Sequence, residues 1–288
     1  MIANHSRNWA RVERILVALD ASEQSLTALD TAAALAQAMK SELTGLFVED
    51  AELLTLAELP FSTEVRHAGA QLHRLDAAEM EKEISNRLMS ARQALERTGA
   101  QRQLRWRFHS VRGNVHREVA AAASHVDLLC IGCRSGSGYL KSRIGGTALR
   151  ALQSNAPVLI AGSVKRPLSG PVAVIFDGSD DAKDCAGLAV ATARQLKGDL
   201  VFLVTGPASD ELSAVQHWID TTVAQDVHCS ITAVKGDDPL PVLKSAAEGR
   251  FGLIVCGMGE DGSVPSWLEH LTEVHGCALL LVPRRASK

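Results

Sequence analysis

The chain has 288 residues, a length that suits about two ordinary domains. Apolar residues make up 46% and charged residues 22%, which describes a chain able to bury a core, and no apolar run approaches the roughly 18 residues of a membrane span. A formal net charge of −3 and only 4% aromatics, with Tyr139 the one tyrosine, argue against a polyanionic partner and against stacking on single-stranded nucleic acid.

Short apolar runs alternate with longer helical patterns. Residues 15–20 read as a first strand ending in Asp20, and Ser22 is the N-cap of an Ala/Leu-rich helix reaching Lys40. A second strand spans 43–50. Residues 51–75, with Pro60 and Gly69, predict a helical excursion or a mobile flap. A long helix over 76–98 carries Glu79, Glu81, Lys82, Glu83, Arg87 and Arg92 and reads as a solvated face with local ion pairs. Strand 104–111, helix 115–125 and strand 127–132 follow. A Gly/Ser loop, a helix ending near Asn155 and strand 157–161 complete the run.

After 165–170, a linker by composition, the pattern restarts. Residues 171–177 mirror 15–20, each ending in an aspartate with a serine two positions on (Asp20 and Ser22; Asp177 and Ser179). Residues 199–205 mirror the second strand, 234–236 mirror 111–113, 253–257 mirror 128–132, and 278–282 mirror 157–161. Landmarks recurring in one order define a tandem β-α-β-α-β-α-β-α-β unit. Such units predict an α/β fold of two flavodoxin-like domains. Each is an open five-stranded parallel sheet of order 3-2-1-4-5 with helices on both faces. Ligands in such sheets lie beyond the carboxyl ends of the strands at the switch point, the first and the fourth. That places Asp20 beside the loop after Gly132, and Asp177 beside the loop after Gly257.

The two loops differ in charge. Residues 133–147 carry Arg134, Lys141 and Arg143 with no acid, and Gly136, Gly138, Gly145 and Gly146 let backbone amides approach an anion. Together with the helix opening near Gly146 and Thr147, they suit phosphate; the bland reading is a solvated basic loop. No Walker sequence occurs, since Leu140 precedes Lys141 and Ser142. The matching loop 258–272 carries Glu260, Asp261 and Glu269, no lysine or arginine, and the bulky Pro265 and Trp267. Carboxylates there repel a triphosphate. Gly257, Gly259 and Gly262 formally spell G-x-G-x-x-G, but after a fourth strand, and the next strand lacks a terminal acid for a ribose.

On these residues the chain resembles the universal stress protein family in its tandem form, over about 12–163 and 170–284. The resemblance implies adenine nucleotide alpha hydrolase-like domains and, in ATP-binding members, a Gly-x2-Gly-x9-Gly-Ser/Thr loop after the fourth strand. Carried over, Asp20 and Val48 hold the nucleoside. The phosphate loop fits in two registers. One uses Gly132, Ser135 in place of the second glycine, Gly145 and Gly146; the other uses Cys133, Gly136, Gly146 and Thr147. One inserted residue reconciles them, with Arg134 beside the phosphates. In the second copy only Asp177 and Gly257 survive.

Cys130 and Cys133 form a C-x-x-C that straddles a strand end instead of opening a helix, a poor setting for a redox pair, although Cys133 on the loop is open to oxidation. No second cysteine pair has zinc spacing, and no nucleophile elbow, Ser-His-Asp set or carboxylate pair is visible. Residues 1–14 lack the apolar stretch of a secretory signal, and six cysteines without one fit a reduced cytoplasm. The sequence therefore predicts a cytoplasmic stress-response regulatory protein binding ATP, with Mg, in its first domain, and at most slow ATP hydrolysis. The second domain would serve as an internal partner; a homodimer or protein partner is open, and no nucleic acid or membrane is expected. The alternative is a structural or interaction protein whose two sites are vestigial or adapted to another ligand.

Overall fold

The computed structural model describes residues 12–59, 63–65, 72–74, 76–133, 147, 150–151, 156–162, 168, 170–205, 209–223, 226–234, 251–258 and 277–283. In the first half, β1 (Arg14–Leu19), α1 (Glu23–Met39), β2 (Glu42–Asp50) and α2 (Ala51–Glu58) lead to a small hairpin, β3 (Thr63–Val65) and β4 (Leu72–Arg74). Then come α3 (Ala77–Gln101), β5 (Trp106–Gly113), α4 (Val115–Ala123), β6 (Leu128–Gly132) and β7 (Val158–Ala161). The second half supplies β8 (Val172–Phe176), α5 (Asp180–Leu196), β9 (Leu200–Thr205), α6 (Ser209–Thr222), β10 (Cys229–Val234), β11 (Leu253–Gly257) and β12 (Ala278–Val282).

The large sheet has ten strands in the order β10-β9-β8-β11-β12-β7-β6-β1-β2-β5. Numbered within each half, both runs read 3-2-1-4-5, as the repeat predicts. Pairing is parallel within each half, and β7 meets β12 antiparallel, with Leu159 opposite Leu280. The two five-stranded sheets are thus not separate. β7 and β12 are buried throughout, so an unpaired edge on either would leave backbone groups without partners away from water. Each provides the other's missing neighbour.

The halves also match in detail. α1 and α5 each have 17 residues. Ser22 and Ser179 are their N-caps, accepting from the amides of Ser25 (3.2 Å) and Ala182 (3.1 Å). Lys40 and Lys197 close them in the left-handed region, at φ 57° and 54°. Ser41 and Gly198 then donate backwards to the carbonyls of Ala36 and Ala193, the 6→1 bond of a Schellman end. The third strand begins two residues later than the periodicity predicts. α3 runs to Gln101, Gln103 reverses at φ 54°, and the Leu104 amide bonds the Gly99 carbonyl, so Leu104 closes the helix before β5 starts.

The sheet separates two apolar layers. One holds Ile15, Val17, Leu29, Leu95, Leu159, Phe176, Phe202 and Leu280 under α1, α3 and α5. The other holds Leu16, Leu46, Val119, Ile131, Ile160 and Leu279 on the α4 side. Both layers continue from one half into the other. The insertion after β2 forms α2 and the hairpin; the excursion is helical as expected, but the two short strands were not signalled by any alternation long enough to read.

Candidate functional site

The strand order reverses between β1 and β6, whose registers set Ile15 opposite Leu128 and Val17 opposite Cys130. Asp20 follows β1 and is exposed. Its Oδ1 accepts from the Ser22 amide at 2.9 Å, and Ala21 between them adopts φ 62°. The second half repeats this turn: Asp177 Oδ1 accepts from the Ser179 amide at 3.0 Å around Gly178 at φ 81°. In both copies the aspartate forms an Asx turn that sets the start of the next helix. One carboxylate oxygen is therefore engaged locally, whatever else the group meets.

Val48 lies in β2 opposite Val111 and packs, half-buried, into the layer on the α4 side together with Ala18 and Val115. Alternation along β1 puts Leu16 and Ala18 on that same side. Thr147 is helical and half-buried, and its Oγ1 lies 3.0 Å from His116 Nδ1 in the first turn of α4. So Val48 and, through its contact with α4, Thr147 belong to one side of the sheet, and Val48 stands beside the end of β1 that leads into the Asp20 turn.

Gly132 ends β6 and meets the opposite side. A Cβ there would stand 2.8 Å from the Gln24 backbone carbon and 2.9 Å from its oxygen, at the first turn of α1. Close helix-on-strand packing therefore accounts for this glycine without any ligand. Gly257 is looser, since its hypothetical Cβ meets Cys185 Sγ at 3.2 Å. Arg134, Ser135, Gly136, Gly145 and Gly146 lie outside the described residues, as do Lys141 and Arg143. The acidic counterparts Glu260, Asp261 and Glu269 also lie outside them.

Cys130 and Cys133 face opposite layers. Cys130 Sγ donates to the Ala28 carbonyl at 3.3 Å, and burial pushes its thiol well above the ordinary cysteine range. Cys133 is only 2% exposed, which corrects the expectation of an accessible thiol on the loop. In the second half, burial raises Cys256 to about 12, with the Asp177 charge adding to it, and raises Cys185 as well. Cys130, Cys185 and Cys256 are packing cysteines, held in the protonated form that is a poor nucleophile.

Beside Thr147 opens a cleft that sequence reasoning missed. It has a volume of about 460 Å³ and is lined by Glu52, Asn114, His116, Arg117 and Arg150. Glu52 comes from the first turn of α2, beyond β2. Asn114 is the N-cap of α4, beyond β5; its Oδ1 accepts from the Arg117 amide at 3.1 Å and its Nδ2 donates to Glu52 Oε1 at 2.6 Å. Separate chain segments supply these side chains, so no local motif could have grouped them.

A doubly wound sheet with an aspartate-led turn at its switch point, present twice in one chain, defines a tandem doubly wound α/β fold. The profile of the universal stress protein family matches residues 11–162, more than half of the chain. The chain belongs to that family. Among solved structures, a universal stress protein from Archaeoglobus fulgidus DSM 4304 is similar over 94% of this chain and 98% of its own, at 17% identity and a TM-score of 0.71. A putative universal stress protein from Pseudomonas aeruginosa UCBPP-PA14 is similar over 96% and 94%, at 14% identity and TM-score 0.56. The cytoplasmic domain of a prokaryotic cation chloride cotransporter is similar over 95% and 96%, at 13% identity and TM-score 0.53. At these identities the likeness speaks of the fold alone. The search of curated proteins returned no match. Among the described residues no helix is long and apolar enough to cross a membrane.

Proposed function

We propose that this universal stress protein is a cytoplasmic regulatory module that binds ATP, as its magnesium complex, in its first domain, residues 12–163. The second domain, 170–284, acts as a built-in structural partner. In this reading Asp20 and Val48 hold the nucleoside. Gly132, Arg134, Ser135, Gly136, Gly145, Gly146 and Thr147 surround the phosphates, whose charge the basic loop offsets. Magnesium, bound with the nucleotide, would offset part of the phosphate charge. The observation that carries the reading is the Asp20 turn at the carboxyl end of β1, whose pairing with β2 sets it beside Val48 at the switch point, where open α/β sheets take their ligands. The acidic loop of the second copy supports restricting ATP to the first. In this reading the role is binding and signalling, with at most slow ATP hydrolysis.

Isothermal titration of the full chain with Mg-ATP tests this. One nucleotide should bind per chain. Asp20→Ala should weaken it at least tenfold, and Asp177→Ala should leave it unchanged. No heat at millimolar nucleotide, or equal losses in both variants, would overturn the reading.

A further inference from the structure

We propose that the cleft between α2, α4 and the helical residues Thr147, Arg150 and Ala151 is a binding site for a phosphate-bearing anion. It is distinct from the Asp20 and Val48 strand ends. The argument begins with two guanidinium groups. Arg14, Arg107, Arg112 and Arg194 are each ion-paired with a carboxylate, at 2.6–3.5 Å, and Arg87 pairs with Glu83. Among the described residues, Arg117 and Arg150 enter no ion pair; Arg92, Arg97, Arg102 and Arg105 enter none either, but Arg117 and Arg150 line the same cleft. Glu52, an acid among the described lining residues, accepts a hydrogen bond from the Asn114 amide group.

Geometry supports the same ligand. Asn114, His116 and Arg117 are the N-cap and first turn of α4, a nine-residue helix, so its positive end faces the cleft. The His116–Thr147 contact ties α4 to the helical residue three positions before Arg150. Arginine forks match phosphate oxygens, and a tetrahedral group offers oxygens in several directions at once. A planar carboxylate would satisfy one fork and leave the other idle. The volume, about 460 Å³, falls within the roughly 300–1,000 Å³ of small-molecule sites.

Two sources share this chemistry. The phosphate could be the tail of a nucleotide seated at the strand ends, with Thr147 at the boundary. It could instead belong to a separate phosphorylated small molecule. The first depends on the nucleotide reading above and the second does not.

The probe is inorganic pyrophosphate, titrated calorimetrically into the full chain at low salt and in the absence of nucleotide. Wild type should bind it. Arg117→Gln combined with Arg150→Gln should weaken binding at least tenfold while circular dichroism and melting stay unchanged. Both side chains are exposed, so folding is not at stake. A control pair on α3, Arg92→Gln with Arg97→Gln, removes the same charge elsewhere and should bind as wild type. Absence of pyrophosphate binding, equal affinity in the cleft variant, or an equal loss in the control would each overturn the site. If pyrophosphate competes with ATP and the cleft variant also loses ATP, the tail of the nucleotide occupies the cleft. If ATP affinity is untouched by either, the ligand is a second molecule. Pyrophosphate binding without ATP binding would retain the cleft and remove the nucleotide reading.

Discussion

At the scale of single residues, the most direct comparison is between Ala21 and Gly178. They occupy the same turn in the two copies, at φ 62° and 81°. An L-residue in the left-handed region costs about 1–2 kcal/mol, against which glycine loses roughly 0.5–1 kcal/mol of chain entropy. Ala21→Gly should therefore stabilise the protein, by up to about 1 kcal/mol, and Gly178→Ala should destabilise it by a similar amount. A Cβ at 178 would meet nothing within 4 Å, so the reverse variant reads backbone conformation without a clash. Urea denaturation of the two variants checks this, and a shift of the same sign in both would refute it. The Asp-x-Ser pattern was legible because an Asx turn and an N-cap need only neighbouring residues. The strain on Ala21 was not, since a sequence does not show which member of a turn takes a positive φ.

At the scale of elements, the strands and the repeat were readable because buried parallel strands leave continuous apolar runs such as 128–132 and 253–257. The cleft was not readable. Glu52, Asn114 and Arg150 are brought together only by the crossover connections. Gly132 shows a different failure: a glycine at a strand end reads equally well as a phosphate contact and as a packing requirement. The two can be separated without ligand. Gly132→Ala drives a Cβ into the Gln24 backbone, which cannot rotate away, and should cost about 1–3 kcal/mol in the nucleotide-free protein. Gly257→Ala meets only the Cys185 sulfur at 3.2 Å and should cost clearly less. Thermal unfolding of both variants without nucleotide decides it. Equal stability of Gly132→Ala and wild type would return that glycine to a purely ligand-binding role.

At the scale of the whole molecule, the repeat predicted two sheets but not how their edges would meet. Hydrophobic runs reveal that a strand is buried, not which strand becomes its neighbour. Here the fifth strands of the two copies join, and the apolar layers pass through the junction. Leu159 of β7 and Leu280 of β12 stand opposite each other, 0% and 1% exposed, in the same layer. Truncating either to alanine should cost about 2–5 kcal/mol, the range for leucine cavities in a packed core. Because they adjoin, the double variant should cost less than the summed single losses, with a coupling of at least about 0.5 kcal/mol. A core shared in this way also ties the unfolding of one half to that of the other. Wild type should melt in one transition when a probe in the second half, the fluorescence of Trp218 packed on Phe176 and Phe202, is compared with overall helicity. The comparison needs a background in which the other tryptophans, Trp9, Trp106 and Trp267, are phenylalanine. Leu159→Ala lies in the first half, yet it should shift the Trp218 transition as far as it shifts the loss of helicity. If the Trp218 signal kept its midpoint while helicity lost its early part, the junction would be a contact between two independently stable bodies. The second copy would then not be the structural support that the proposed role gives it.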